Sequence, residues 1–531
     1  MASSKKENKL SYLQMPLPSG QKDAVQTRVN WSGLNRAQRL DTGELSLEEN
    51  ISTTEAPYLT PSPKRREISA LGRHAVPSPI GLWGFGDFLL LLYGDEGRVW
   101  AVKLKGEGAG SPELLPDEIK VKKTTFKNDY AEDFETVRSV VAMNLYEGGA
   151  IDGSYTKKLL LFPEKISMDF DGSGLSPAMI TDVIMPNIRY ATVHLSRLYG
   201  VAAPSKDKEP DRICVSGYNS YANWDVDTDD DFSEAHAWIS AAQSNIRATG
   251  AFTGITTYLN SVVAFKKDYM HEVIGSSNPF RINDVFAEGA VDNRTIVEVD
   301  GTLFFVSEDA VKVYTGGNPR VMSYKLGINR FDNAVAGSDG RKYYLYAENG
   351  GKKHLFVYDT LVMQWAEETV NERVLNFAKN DVGLYMLTED EEGQGHIYRL
   401  DTGDYFGQSW KAETDLTLGR TVDIKHIRKV QLLVDLAPGS SIKASLILDE
   451  GSLDEREEVI FERSNSAEDT SPRGAYQYHL ETREIRTAIR VVPRQTAHFG
   501  AKLRLSGEGF CRIYQAEISV KGGGELFTTL E

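Results

Sequence analysis

The sequence predicts an all-β protein: a β-propeller of about seven blades, with an extended N-terminal arm before it and a C-terminal β-sandwich after it. Three observations carry this. The chain of 531 residues holds 46 Gly and 24 Tyr, which favours a turn-rich β protein over a helical one. From about residue 80 onward, short apolar runs separated by Gly, Asp and Asn read as successive antiparallel strands. Four of these segments recur at about 40 residues, the period of a propeller blade.

Residues 1–70 form the arm. Dense Ser, Thr, Pro, Lys and Glu, ending in Pro61-Ser-Pro-Lys-Arg-Arg-Glu67, argue against a core of their own. Trp31, Leu34, Leu47 and Tyr58 still supply apolar surface, and they are expected to dock the arm on a neighbouring chain. The propeller is assigned to residues 71–405. Its tight units pair residues 261–265 with 270–275, 302–306 with 311–314, 342–346 with 355–359, and 384–387 with 396–400. Val263, Leu303, Tyr343 and Leu384 then fall at equivalent positions. One small sheet cannot bury both its faces, whereas radial stacking gives each unit two neighbours. Three looser units, over 82–104, 137–170 and 190–226, bring the count to about seven.

Insertions at 105–135 and 227–252 interrupt the period. The second has helical spacing from Phe232 through Trp238 and Ile239 to Ile246, which predicts a short helix on one face. Residues 406–531 change texture. Alternating strands at 430–436, 441–448, 483–490, 502–506 and 511–518, with turns at Pro438-Gly439 and Gly507-Glu-Gly509, have the length of a β-sandwich.

Sixty Lys and Arg stand against 76 Asp and Glu, a formal net charge of −16. Such a chain is a poor candidate for wrapping nucleic acid, because affinity for phosphates comes from clustered cations. Cys214 and Cys511 lie far apart and match no metal-ligand spacing, so two free thiols in a reducing compartment are expected. The polar segment Met1 to Lys9 is followed by no apolar run of signal-peptide length. The densest apolar run, Phe88 to Tyr93, is far short of the roughly 20 residues that span a bilayer. The expectation is a soluble protein assembled in the cytoplasm.

The search for catalytic groupings returns negatives. There is no Gly-x-x-x-x-Gly-Lys-Ser/Thr cradle for phosphates, no His-Glu-x-x-His metal helix and no Cys-x-x-Cys pair. Gly172-Ser-Gly174-Leu-Ser176 lacks the spacing of a serine elbow, and the nine histidines are scattered singly. Asp225, Asp227 and Asp229 alternate as the carboxylates of a calcium loop do. The sixth position of that loop is Asp230 rather than Gly and the twelfth is His236 rather than Glu, so a solvated acidic turn is expected instead. Paired carboxylates for glycan cleavage cannot be picked out of 76 acidic residues. No enzyme activity, metal or cofactor is expected.

One set of segments carries a family resemblance. Arg212-Ile-Cys-Val-Ser-Gly217 with Asn223-Trp-Asp225, Gly254-Ile-Thr-Thr-Tyr-Leu259, Val299-Asp-Gly-Thr-Leu-Phe-Phe-Val306 and Val313-Tyr-Thr-Gly-Gly317 resemble the central part of tailed-bacteriophage virion proteins. Leu503-Arg-Leu-Ser-Gly-Glu-Gly509 is similar to their C-terminal end, and Trp31-Ser-Gly-Leu-Asn35 with Tyr58-Leu-Thr-Pro-Ser-Pro-Lys64 to their N-terminal part. These are head–tail stabilisation or tail-nozzle proteins. The resemblance implies a virion component built on a propeller, several copies of which form a ring that DNA passes through. It implies no catalytic residues, and it leaves neck, nozzle and tail tip open.

Two functions follow as expectations. One is a structural protein of a phage tail or neck, a homo-oligomeric ring beside other virion proteins, with DNA as passing cargo and Asp229, Asp230 and Asp231 in an acidic lumen. Acidic runs at 389–392 and 454–458 are further candidates for that wall. The other is a tail-tip module that recognises a host surface glycan, which exposed aromatic side chains on one propeller face would favour.

Overall fold

The structure, a computed structural model, describes residues 24–28, 31–37, 40, 43–105, 112–115, 137–146, 155–169, 175–181, 184–202, 212–226, 236–240, 250–277, 280–285, 288–415, 425–450, 453, 455–465, 477–479, 484–491, 493, 497–498 and 500–522. Among them the only helical element is a 3-10 turn, Asn293–Thr295, and no helix is long and apolar enough to cross a membrane.

Seven four-stranded antiparallel units follow one another along the described chain. In the first, Pro79–Phe85, Phe88–Asp95, Arg98–Lys105 and Pro112–Leu114 pair in sequence order. The second begins at Ser139–Tyr146, the third at Ile188–His194, the fourth at Phe252–Tyr258, the fifth at Val297–Val299, the sixth at Asp332–Ser338 and the seventh at Arg373–Lys379.

The period of two along a strand sends alternate side chains to opposite faces, and here each face meets a different neighbour. Leu90 and Leu92 pack with Leu159 and Leu161 of the second sheet, while Leu89 and Leu91 pack with Tyr385 and Leu387 of the seventh. Val263 and Phe265 likewise face Leu303 and Phe305, and Phe304 and Val306 face Tyr343 and Leu345. Apolar cores fill every gap between consecutive sheets, including that between the seventh and the first. The cycle is a β-propeller. It explains why Phe88–Asp95, Arg197–Ala202 and Ser261–Lys266 are buried along nearly their whole length, and why residues 88–93 and 261–265 read in the sequence as apolar runs.

Neighbouring innermost strands approach closely where a side chain is missing. A Cβ at Gly84 would collide with the Lys379 carbonyl, and one at Gly337 with the Phe377 side chain.

The seventh sheet draws three strands from residues 373–399 and its outer strand, Arg66–Ile68, from the N-terminal region. The described residues between 31 and 62 form a strap upstream of that closing strand. Its strand Leu47–Glu49 lies parallel to Gln364–Glu368, the outer strand of the sixth sheet, and antiparallel to Ser409–Asp415. The propeller sheet thus runs on without a break into Ala501–Glu508, Ser440–Leu448 and Arg456–Asn465. A second sheet, ordered Ala24–Arg28, Cys511–Gly522, Lys425–Leu436, Glu484–Val491 and Gln477–His479, shares a core with it made of Leu432, Val434, Ile442, Leu446, Leu503 and Ile513. Asn50 pins the junction. Its Nδ2 donates to Thr369 Oγ1 at 2.9 Å and to the Ser409 carbonyl at 3.0 Å, and its Oδ1 accepts from the Thr369 N–H at 2.9 Å.

Three expectations are corrected here. Trp31 and Leu34 are buried in this same chain, Trp31 with Leu45, Ile51 and Leu59 in the two-sheet C-terminal core and Leu34 between the fifth and sixth sheets, so they are not docking surface for a neighbour. Apolar groups bury against the nearest core, and here that core is their own chain's. Leu47 and Tyr58 are half-buried in the strap, the Tyr58 ring 4.6 Å from that of Tyr514. The helix expected around Trp238 is instead a strand, Trp238–Ile239, which pairs with Cys214 and Val215 and completes the third sheet. Backbone groups at a sheet edge gain partners that a two-turn helix would not supply. Its flanks, 232–235 and 241–246, lie outside the described residues. Pro112–Leu114, within the expected first insertion, is the outer strand of the first sheet.

Candidate functional site

The seven innermost strands run side by side around an axial cavity of about 430 Å³. Every sheet contributes to its wall, among others through Trp83, Ser139, Thr192, Thr256, Glu298, Ser338 and Phe377. Side chains stitch the strands together where ladder bonds cannot. Asn376 Nδ2 donates to the Leu82 carbonyl and its Oδ1 accepts from the Leu82 N–H at 3.2 Å. Ser139 Oγ donates to the Ala191 carbonyl and accepts from the Ala191 N–H, both at 3.2 Å. Thr192 and Thr257 bring their hydroxyls to 3.0 Å.

One end of the cavity is occupied by the turn at residues 292–295, between the fourth and fifth sheets. Asp292 caps the 3-10 turn by accepting from the Arg294 N–H at 2.9 Å. The turn is then tied to three other sheets. Asn293 Oδ1 accepts from the Ile255 N–H at 3.0 Å, Arg294 Nη1 donates to the Leu375 carbonyl at 3.3 Å, and Tyr343 Oη donates to the Thr295 carbonyl at 3.3 Å. A smaller hollow of about 90 Å³, lined by Trp83, Arg138, Tyr190, Asp292, Arg294 and Asn376, adjoins it.

Asp292 and Arg294 form a two-pronged ion pair, with Nε at 3.0 Å from Oδ1 and Nη2 at 2.9 Å from Oδ2. Burial alone would raise the Asp292 acid, but the charge and hydrogen bonds of Arg294, helped by the charge of Arg138, hold it below the usual carboxylate range. Burial likewise works against the Arg294 cation, and Asp292 outweighs it. The pair therefore stays ionised. Among the described residues, the guanidinium groups of Arg138 and Arg294 and the carboxylate of Asp292 line this end of the cavity.

Asp225 is exposed; its backbone N–H donates to Asn223 Oδ1 at 3.1 Å, and its carbonyl accepts from the Ala237 N–H at 3.0 Å. Asp227, Asp229, Asp230 and Asp231 lie outside the described residues. Among the described residues no group of three His, Cys, Asp or Glu is placed to hold a metal. The acidic run at 389–392 is a turn closed on itself, Asp390 accepting from the Glu392 and Gln394 N–H groups at 2.9 and 2.8 Å. Cys214 and Cys511 are both buried and are not joined in a disulfide. Sequence reasoning missed Arg138, Asp292 and Arg294. Asp292-Asn-Arg-Thr295 looks like any polar turn between strands, and only closure of the ring brings it opposite Arg138.

Exposed apolar side chains gather on the connections that follow the innermost strands. Tyr146 and Tyr155 face each other across the first hairpin of the second sheet, 5.8 Å between ring centroids, and are 40% and 52% exposed. Asn219 bonds the Tyr146 N–H and carbonyl at 2.9 and 2.8 Å, and its neighbour Tyr218 is 52% exposed, its ring 5.9 Å from the Arg197 guanidinium. Leu195 and Leu259 stand exposed at the tips of the next two hairpins with positive φ, where a small or polar residue would be less strained.

No protein-family model matches the sequence, and no curated protein matches it. Solved structures do. The β-propeller domain of the Trilobed protease from Pyrococcus furiosus is 11% identical over 62% of this chain and 96% of that one, with a TM-score of 0.35. The extracellular domain of a one-component system from B. thetaiotaomicron is 10% identical over 87% of this chain and 64% of that one, with a TM-score of 0.39. YCF48 from Cyanidioschyzon merolae is 11% identical over 64% and 98%, with a TM-score of 0.36.

Proposed function

We propose that this chain is a structural protein of a bacteriophage virion, placed in the tail or neck, that assembles as a ring of copies around the DNA path as a nozzle or stabilisation component. It has seven propeller blades, a C-terminal sandwich and an N-terminal segment that joins them. It works without enzyme activity or cofactor, beside other tail or neck proteins, and phage DNA is its cargo rather than its ligand. The strap is the observation that supports this reading best. A segment that is at once a strand between two sheets and part of both cores couples propeller and C-terminal sheets into one stiff body, as a component under ejection forces requires. A cavity of about 430 Å³ with a turn across one end offers no passage to a duplex, so the DNA would run between copies. In this reading Asp229, Asp230 and Asp231 belong to the acidic wall of that lumen.

Electron microscopy of intact particles, with native mass spectrometry of the purified chain, tests this. A closed ring of copies coaxial with the DNA is the expected result. Monomers at the ends of fibres would overturn it.

Tyr146, Tyr155 and Tyr218 favour a second reading, a tail-tip module whose propeller face recognises a host surface glycan, because sugar rings stack on exposed aromatic faces. Its test is a glycan array probed with the full chain and with Tyr155→Ala. Loss of signal in the variant supports the reading; no signal from either protein overturns it.

A further inference from the structure

We propose that copies of this chain join head to tail through two separate apolar patches on one face of the propeller, one on the second to fourth sheets and one on the sixth and seventh, so that this face turns to the inside of the ring. The inference deepens the ring reading and rests on it. In a four-stranded antiparallel sheet of a propeller, the first and third connections lie on one face and the second on the other. The first patch consists of Tyr146 and Tyr155 beside the first connection of the second sheet, Leu195 and Tyr218 on the first and third connections of the third, and Leu259 on the first of the fourth. The second consists of Leu361 and Met363 on the third connection of the sixth sheet, 71% and 74% exposed, and Val382 on the first of the seventh. Exposed polar tips separate the two, Gly86-Asp87 on the first sheet and Asp300-Gly301 on the fifth. Among the described residues, the second connections, on the opposite face, expose no large apolar side chain.

The exposed area is on the scale of a protein contact. A half-exposed tyrosine presents about 100 Å². The five side chains of the first patch then present about 400 Å², near the roughly 450 Å² that is apolar in an interface burying about 800 Å² per partner. Position around the axis selects the mode of contact. With seven sheets to the turn, the middle of the first patch, at the third sheet, stands about half a turn from the middle of the second, between the sixth and seventh. Two unlike patches on opposite sides make a heterologous contact, in which each copy offers one patch to either neighbour. Both patches sit on the rim of one face rather than on the flank, so joined copies lean toward that face and the chain of contacts curves, as closure into a ring requires. Met363 also suits the Tyr146–Tyr155 pair, since a thioether packs favourably against aromatic edges.

Sedimentation velocity of the full chain, of Tyr155→Arg and of Leu361→Arg tests the contact. All three should melt alike, because both positions are exposed. If a variant melts lower, Leu259→Arg or Met363→Arg takes its place in the same patch. Each variant is expected to raise the concentration of half-assembly at least about tenfold. An added cation reduces the net charge of a chain at −16, so general repulsion would act in the opposite direction. A concentrated equal mixture of the two variants should give a dimer and nothing larger, since one intact pairing remains, the first patch of Leu361→Arg against the second patch of Tyr155→Arg. If the parent forms a ring and either variant assembles as the parent does, or the mixture contains no dimer, this contact is overturned and the ring reading stands. A parent that stays monomeric overturns the ring reading and the contact with it.

Discussion

Glu48 sits in the strap with both carboxyl oxygens buried and no hydrogen-bond partner for either. Burial pushes its acid well above the usual carboxylate range, and Glu367 adds to this while Arg36 opposes it. Arg36 is paired with Glu367, which also accepts His354 Nδ1 at 2.7 Å. The folded chain thus keeps a proton that the unfolded chain releases above about pH 4.3. Stability from this group is complete below that pH and falls as pH rises toward the raised folded value, by at most about 1.4 kcal/mol per pH unit. Glu48→Gln should remove the slope. Scanning calorimetry is expected to find variant and parent alike near pH 4 and the variant with the higher midpoint at pH 7 to 8. Gly84 makes a steric test: Gly84→Ala should cost about 1–3 kcal/mol in urea unfolding, because the carbonyl it meets is backbone. Gly317→Ala, with nothing within 4 Å of its Cβ, should change little.

The propeller's closing strand adds an ion pair to its ladder of backbone bonds. His396, in Gln394–Arg399, brings Nδ1 to 2.6 Å from Glu67 in the closing strand and Nε2 to 3.4 Å from Asp390. Burial works against the imidazolium, but the hydrogen bonds to Glu67 and Asp390 outweigh it and raise the group above its ordinary value. A histidine raised on folding stabilises below its unfolded value of about 6.5, and the contribution disappears as pH rises through the folded value. Hydrogen exchange of residues 66–68, corrected for intrinsic rates, should therefore lose protection as pH rises through that window, and His396→Gln should remove the pH dependence. The strands around Val263, Leu303, Tyr343 and Leu384 were legible in the sequence because burial on both faces leaves an unbroken apolar run. Arg66–Ile68 was not, since two charged residues beside a single buried Ile68 read as the end of a polar arm, and its partner is remote in sequence. Trp31 and Leu34 announced burial without saying against what.

The whole molecule carries a formal charge of −16. Long-range repulsion thus acts on any polyanion that approaches it. At low salt the chain should not retard duplex DNA in a gel, and added salt should stabilise a ring of copies by screening their mutual repulsion, read as a rising midpoint of dissociation. Duplex binding at low salt would count against DNA as passing cargo.

The closing strand also imposes an order on synthesis. Glu67 and His396 are 329 residues apart, so at about 5–20 residues per second the strand waits roughly 15 to 70 seconds for its partner to leave the ribosome. Throughout that interval the first sheet has no seventh sheet against Leu89 and Leu91, and the strap has no second wall. The nascent chain is therefore a string of half-covered sheets that must be kept from pairing with other chains. Its final architecture is sealed late, when the N-terminal segment is laid into a seam formed by residues 364–415.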